Sequence, residues 1–359
     1  VTPAQEAGAV ALGSTSGAGI TDDSVSGAGR AAGRAAGRAA GRAAGQDDAP
    51  LPAQPEYAAR ARGLRKLFGR TVAVDSVDLD VPAGAVLGVL GPNGSGKTTV
   101  IRMLLGLCRP TAGEVQLLGR RMPEQAGEAL PLVGALVEGP GFHPFLSGRE
   151  NLLRAAAFEP AVPTALMPAV VDDALARVGL AGAARRAYRG YSLGMKQRLG
   201  LAAALLVPRD LVVLDEPTNG LDPAGTREVR RIIGELHRAG STVLVSSHLL
   251  SEVEATCTHV AVLQSGVVIA QGELAGLLEG DHPVLEVITT DPDLALRTLR
   301  AAGVPARTCR GGIEAELLGT TAPTVIATLV RAGVEVSEAR RRRTGLEELF
   351  AALTEDGAQ

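Results

Sequence analysis

The chain places Gly91-Pro-Asn-Gly-Ser-Gly-Lys97-Thr98 between the continuous apolar run Ala85–Leu90 and the apolar, helically spaced stretch Val100–Leu107. A run apolar on both faces reads as a buried parallel strand, because only a sheet covered by helices on both sides hides both faces. A glycine-rich turn at its end, followed at once by a helix, predicts a strand–loop–helix unit. The rest of the chain repeats the alternation. Val72–Val81 alternates apolar and polar residues as a half-buried strand does, Leu211–Leu214 and Thr242–Ser246 are short apolar runs, and Thr226–Arg238 has helical periodicity (Val229, Ile232, Ile233, Leu236). Strands alternating with helices predict a parallel α/β sheet with ligand sites at the carboxyl ends of its strands.

The loop matches GxxxxGK[ST] in the context that pattern requires. Its glycines permit tight turning and bring backbone N–H groups onto phosphate oxygens, and the helix that starts there adds its positive end. The expected triphosphate contacts are Gly91, Asn93, Gly94, Ser95 and Gly96, with Thr99 behind them. Lys97 reaches the β- and γ-phosphates, and the Thr98 hydroxyl ligates Mg²⁺. A second signal is Leu211-Val-Val-Leu-Asp-Glu-Pro217. Adjacent acids are usually solvated loop residues, but these follow four buried-type aliphatics. Asp215 then sits at the ligand edge of the sheet to hold the Mg²⁺ shell, and Glu216 orients and deprotonates an attacking water.

Composition narrows the class. The 359 residues predict two domains with ample core. A net charge of −3 argues against a protein that coats nucleic acid or anionic membrane. The 3 cysteines (Cys108, Cys257, Cys309) lie far apart with no CxxC spacing, which fits a reducing, cytoplasmic setting. No apolar run approaches the roughly 18 residues of a membrane span, and no secretory signal pattern is visible. Residues 1–54 are Gly/Ala/Arg-rich, with a GRAA tetrad repeated from Gly29 to Ala44, and predict a disordered tail. Arg30, Arg34, Arg38 and Arg42 would align on a helix as an arginine arm, but the intervening glycines oppose that helix. Residues 281–359 read as a small α+β module: strand-like Val284–Ile288, helical Leu294–Ala301, strand-like Ile313–Leu318, helical Ala322–Arg331 and strand-like Val334–Val336. A capping-box pair, Thr344 with Glu347, precedes a last helix.

Tyr191-Ser192-Leu193-Gly194-Met195-Lys196-Gln197, upstream of the acidic strand and opening an apolar helix, resembles the LSGGQ signature of ATP-binding cassette (ABC) proteins. The resemblance runs over about residues 58–280 and brings further elements in the family's order. Phe68 is similar to the aromatic that stacks on adenine. Glu138 stands where the family usually has the Q-loop glutamine, as a further contact to Mg²⁺ and the attacking water. Asn219-Gly-Leu-Asp222 resembles the D-loop, and His248 the switch histidine that polarises the γ-phosphate and steadies Glu216. The resemblance implies a dimer in which Ser192 and Gly194 cap the triphosphate held by the other subunit. It implies an α/β P-loop cassette over residues 55–280, with a parallel core, antiparallel β and a helical subdomain at about 110–205, plus the α+β module at 281–359.

Two departures stand out. The signature reads YSLGM, keeping Ser192 and Gly194, and the Q-loop position is acidic. The variant Glu138-Gly-Pro-Gly-Phe142 resembles the bacitracin- and lantibiotic-resistance branch of exporter ATPases, and Gly345-Leu-Glu-Glu-Leu-Phe350 the broader bacitracin/daunorubicin-resistance type. The implied role is the ATPase subunit of a drug, antibiotic or peptide exporter. It would lie on the cytoplasmic face of the membrane and be attached only through separate permease subunits, with no nucleic-acid partner. The expected permease contact is Gly141–Asn151, with Phe142 and Phe145; both rings could instead pack the subdomain. The rival readings are a soluble, non-transport cassette ATPase and a regulatory cassette with impaired hydrolysis.

Overall fold

In the computed structural model, the described residues are 55–138, 141–279, 283–342 and 345–356. The expected disordered tail and arginine arm, and Thr344 of the expected capping box, lie outside them.

Among the described residues the strands form three sheets. The central one has the order β10-β9-β3-β8-β7-β6. Its parallel members are β3 (Val86–Leu90), β6 (Val133–Leu136), β7 (Leu211–Asp215), β8 (Thr242–Ser247) and β9 (His259–Gln264); β10 (Val267–Glu273) pairs antiparallel at one edge. Every residue of β3, β7 and β8 is buried, as the apolar runs predict for strands covered on both faces. The Pro223–Arg238 helix covers this sheet with Val229, Ile232, Ile233 and Leu236. Asp222 caps its first turn, its Oδ1 accepting from the Gly225 N–H at 2.8 Å, and Pro223 occupies the position where a missing N–H costs nothing.

The second sheet is antiparallel, β2-β1-β4-β5, from β1 (Tyr57–Phe68), β2 (Thr71–Pro82), β4 (Ala112–Leu117) and β5 (Arg120–Met122). The alternation read from Val72 is interrupted. Ser76 has φ +54° and the β1–β2 register shifts nearby, so Val74, Val77, Leu79 and Val81 are buried while Val72 points outward. The expected helical subdomain also needs correction. Residues 112–117, 120–122 and 133–136 are strands with only the one-turn helix Ala126–Ala129 among them, so the longer helices of the region run from Gly148–Ala157 through Met167–Arg177 to Leu193–Ala204. Ser147 and Glu150 form a reciprocal capping box there, and those hydrogen bonds hold the Glu150 carboxyl below its usual range.

The third sheet has the order β12-β13-β11-β14, built from β11 (Val284–Thr289), β12 (Ala306–Cys309), β13 (Gly312–Glu316) and β14 (Val336–Arg342). With helices Pro292–Ala301 and Ala322–Arg331 it follows the split βαβ, ferredoxin-like path, and closes its own core around Val287, Leu299, Ile313 and Leu329. The last strand was expected at Val334–Val336 but runs from Val336 through arginine-rich sequence. Its outward Arg340 and Arg342 pair with Glu286 and Glu314, which leaves no apolar run to read. The final helix, Leu346–Asp356, does not close this module. It buries Leu346 in the core of the central sheet and packs beside the Leu250–Thr256 helix.

Candidate functional site

β3 delivers the phosphate loop at its carboxyl end. Gly91 lies so close to β9 that a Cβ there would stand 2.2 Å from the Leu263 carbonyl oxygen. Gly96 has φ +103°, and a Cβ would meet the Ala73 oxygen at 2.8 Å, so the turn into the Lys97–Leu104 helix admits only glycine. Lys97 is buried and donates to the Gly91 and Pro92 carbonyls at 2.7 and 3.1 Å. The Ser95 hydroxyl is buried without a hydrogen-bond partner. Such a group is costly unless a ligand satisfies it.

β7 and β8 deliver the acids and the histidine. The Ser246 hydroxyl donates to Asp215 Oδ1 at 2.5 Å and accepts from the Glu216 N–H at 2.9 Å. Glu216 has φ +47°, a left-handed conformation unusual for a residue with a side chain. Its carboxylate lies between two partners: His248 Nδ1 is 2.7 Å from Oε2, and Lys97 Nζ is 3.5 Å from Oε1. Ala73, Asn93, Gly94, Gly96, Lys97, Thr98, Thr99, Glu216, Asn219 and His248 line one open cleft of about 320 Å³. Residues from the phosphate loop, the acidic strand end and the switch position therefore meet in one place.

Other expected site residues lie apart from it. Phe68 is half-exposed, with the Lys66 ammonium 5.0 Å from its ring centre. Glu138 has φ +58° and forms an ion pair with Arg102, one turn beyond Thr98 on the phosphate-loop helix. That pairing raises the Arg102 pKa, with burial opposing it and Asp215 adding a smaller contribution. Ser192 caps its own helix, its hydroxyl accepting from the Met195 N–H at 3.3 Å. Leu193 and Gly194 rest against Gly220 and Leu221, so signature and D-loop touch within one chain. Neither Ser192, Gly194 nor Asp222 is among the residues lining the cleft.

Sequence reasoning missed Ser246 and Arg102. Two serines ending an otherwise apolar strand were the available sign of the first. Nothing marked Arg102, because its partner approaches from a separate loop. The residues present fit a magnesium-bound triphosphate. The loop offers a buried ammonium and an unpartnered hydroxyl, and the Thr98 hydroxyl in the cleft lining and the Asp215 carboxylate, one residue before Glu216, are hard oxygen donors of the kind Mg²⁺ takes.

The ABC transporter family profile matches residues 74–219. An uncharacterized ABC transporter ATP-binding protein of Bacillus subtilis is 37% identical over 293 residues, covering 81% of this chain and 93% of that protein. A bacitracin transport ATP-binding protein of Enterococcus faecalis is 38% identical over 248 residues, covering 69% and 79%. Among solved structures, a dimeric cassette in a post-hydrolysis state bound to ADP and Pi aligns with a TM-score of 0.56 at 22% identity, over 60% of this chain and 98% of that one. At that identity the likeness speaks to fold.

Proposed function

The chain belongs to the ABC transporter ATP-binding proteins, and from that premise we propose that it powers export of an antibiotic or peptide through separate membrane subunits, working as a dimer of cassettes. The observation that carries this reading is the convergence of Lys97, Glu216 and His248 on one cleft. As an ABC ATPase it hydrolyses ATP. In the assignment proposed here, the loop N–H groups and the Lys97 ammonium bind the β- and γ-phosphates. Thr98 and Asp215 would hold Mg²⁺, which neutralises phosphate charge when bound. Glu216 accepts a proton from water as the water oxygen attacks the γ-phosphorus and the bond to the ADP oxygen breaks. His248 holds the Glu216 carboxylate in position and faces the γ-phosphate.

The substrate class rests on the similarity to the bacitracin transport protein. Among the described residues no helix is long and apolar enough to cross a membrane. A groove of about 440 Å³ lined by Phe142, His143, Pro144, Asn151, Arg154 and Phe158 supports the permease contact. The two phenylalanines expected there divide the work. Phe142 packs edge-on against Tyr188 at 5.5 Å, whereas Phe145 is 68% exposed. Asn151, buried, holds the loop by accepting from the His143 N–H at 2.8 Å and donating to the His143 carbonyl at 3.1 Å. The test is ATPase activity of the purified chain, then its stimulation by co-expressed permease. Phe145→Ala is expected to keep basal turnover and lose the stimulation. Unchanged stimulation refutes the docking assignment.

A further inference from the structure

Glu252 lies in the first turn of the Leu250–Thr256 helix, where a carboxylate also suits the helix dipole. Its Oε2 accepts from the Thr218 hydroxyl at 2.5 Å and from the Ser247 hydroxyl at 3.3 Å. Ser247 in turn accepts from the Leu249 N–H at 3.0 Å. Both hydroxyl residues are buried. Thr218 follows Glu216 by two residues, and Ser247 immediately precedes His248. One carboxylate oxygen therefore ties together the two chain segments that present the reacting pair.

The tie has something to hold. Glu216 adopts φ +47°, and a side-chain-bearing residue persists there only when its surroundings over-determine it. Ser246 fixes its N–H, and its carbonyl accepts from the Asn219 N–H at 3.1 Å. Those contacts set one end of the turn Glu216–Asn219. Thr218, inside the turn, is set by Glu252. We propose that Glu252 is a positioning residue for hydrolysis: by anchoring Thr218 and Ser247 it maintains the approach of Glu216 to His248. The inference rests on the ATPase reading and adds to it a residue outside the nucleotide cleft.

The experiment compares Glu252→Ala with Glu252→Gln, whose amide oxygen still accepts from both hydroxyls. Misplacing a reacting group by about 1 Å can cost ~10²-fold in rate. Glu252→Ala should lose kcat on the order of 10–100-fold while affinity for a fluorescent ATP analogue changes less than about threefold, and Glu252→Gln should recover most of the rate. A second readout does not need turnover. The ring-nitrogen NMR resonance of His248, assigned with His248→Ala, should move in Glu252→Ala and stay in Glu252→Gln. Wild-type kcat in Glu252→Ala overturns the inference. Equal loss of kcat, affinity and melting temperature in both variants also overturns it, since that describes a merely structural residue. If the wild-type chain hydrolyses no ATP, the ATPase reading fails by itself. The His248 resonance then still decides, an unmoved signal in Glu252→Ala refuting the positioning role.

Discussion

His248 Nδ1 lies 2.7 Å from Glu216 Oε2, while the other oxygen of the same carboxylate faces the Lys97 ammonium at 3.5 Å. Three residues that are 119 and 32 positions apart along the chain are thus joined through one side chain, 20% exposed. The arrangement gives a candidate base a fixed orientation and links it to the group expected to bind the γ-phosphate.

Glu216→Gln removes the proton acceptor and keeps the shape. Turnover should fall by ~10²–10⁴-fold, the usual contribution of a positioned general base. Equilibrium binding of a fluorescent ATP analogue should stay within about threefold, because the phosphate loop is untouched. His248→Ala should also lower kcat more than affinity. Steady-state kinetics with binding titrations check both, and retained turnover in Glu216→Gln removes Glu216 from the mechanism.

Gly91→Ala tests the packing of the phosphate loop on β9. The new methyl would stand 2.2 Å from the Leu263 carbonyl oxygen and 2.6 Å from Ser95 Oγ, so backbone must move. The expected outcome is a lower melting temperature together with weaker nucleotide binding. Gly94→Ala meets no atom within 4 Å but carries φ +85°, so its defect should come from backbone strain. Thermal shift with and without nucleotide separates the two.

Arg102 offsets the acidic residue at the Q-loop position. Arg102→Ala removes both the partner of the Glu138 carboxylate and a positive charge that Asp215 feels. Affinity for ATP should fall by about 2–5-fold at low salt and less at high salt, as screening predicts. Glu138→Gln added to that variant should restore the affinity. Nucleotide titrations at two ionic strengths measure this, and additive losses would show that the two side chains act independently.

Burial pushes the Cys257 thiol up to about 12, whereas Cys108 and Cys309 are partly exposed. The thiolate is the reactive form, so at pH 8 Cys257 is held almost entirely as the unreactive thiol. Alkylation of the native protein followed by mass spectrometry should label Cys108 and Cys309 and spare Cys257 until denaturant is added. Rapid native labelling of Cys257 would mean that the packing of the Leu250–Thr256 helix is wrong.

The central sheet was legible because burial on both faces demands unbroken apolar runs, and β3, β7 and β8 have them. The phosphate loop and acidic strand end were legible because their chemistry requires particular residues at fixed spacing. The antiparallel sheet was read only in part. Arg60 and Arg62 of β1 pair with Asp80 of β2, so polar residues interrupt the pattern, and the bulge at Ser76 flips the parity. β4 and β5 were absorbed into the expected helical subdomain for a similar reason: Glu114 and Arg121 form a cross-strand ion pair on short strands with few apolar residues. Glu252 was invisible because its role depends on Thr218, 34 positions away, reaching it across the fold. The docking of Leu346 against the central core likewise depends on a chain reversal that local spacing does not encode.

The central claim is that two copies close on two nucleotides, each supplying Ser192 and Gly194 to its neighbour's loop. Sedimentation velocity of Glu216→Gln with ATP and Mg²⁺ tests it most directly. The account predicts a dimer that forms with MgATP, disperses when nucleotide is removed, and fails to form when Ser192→Arg is added. A species that stays monomeric at saturating MgATP, with no permease or second cassette restoring assembly, would contradict it.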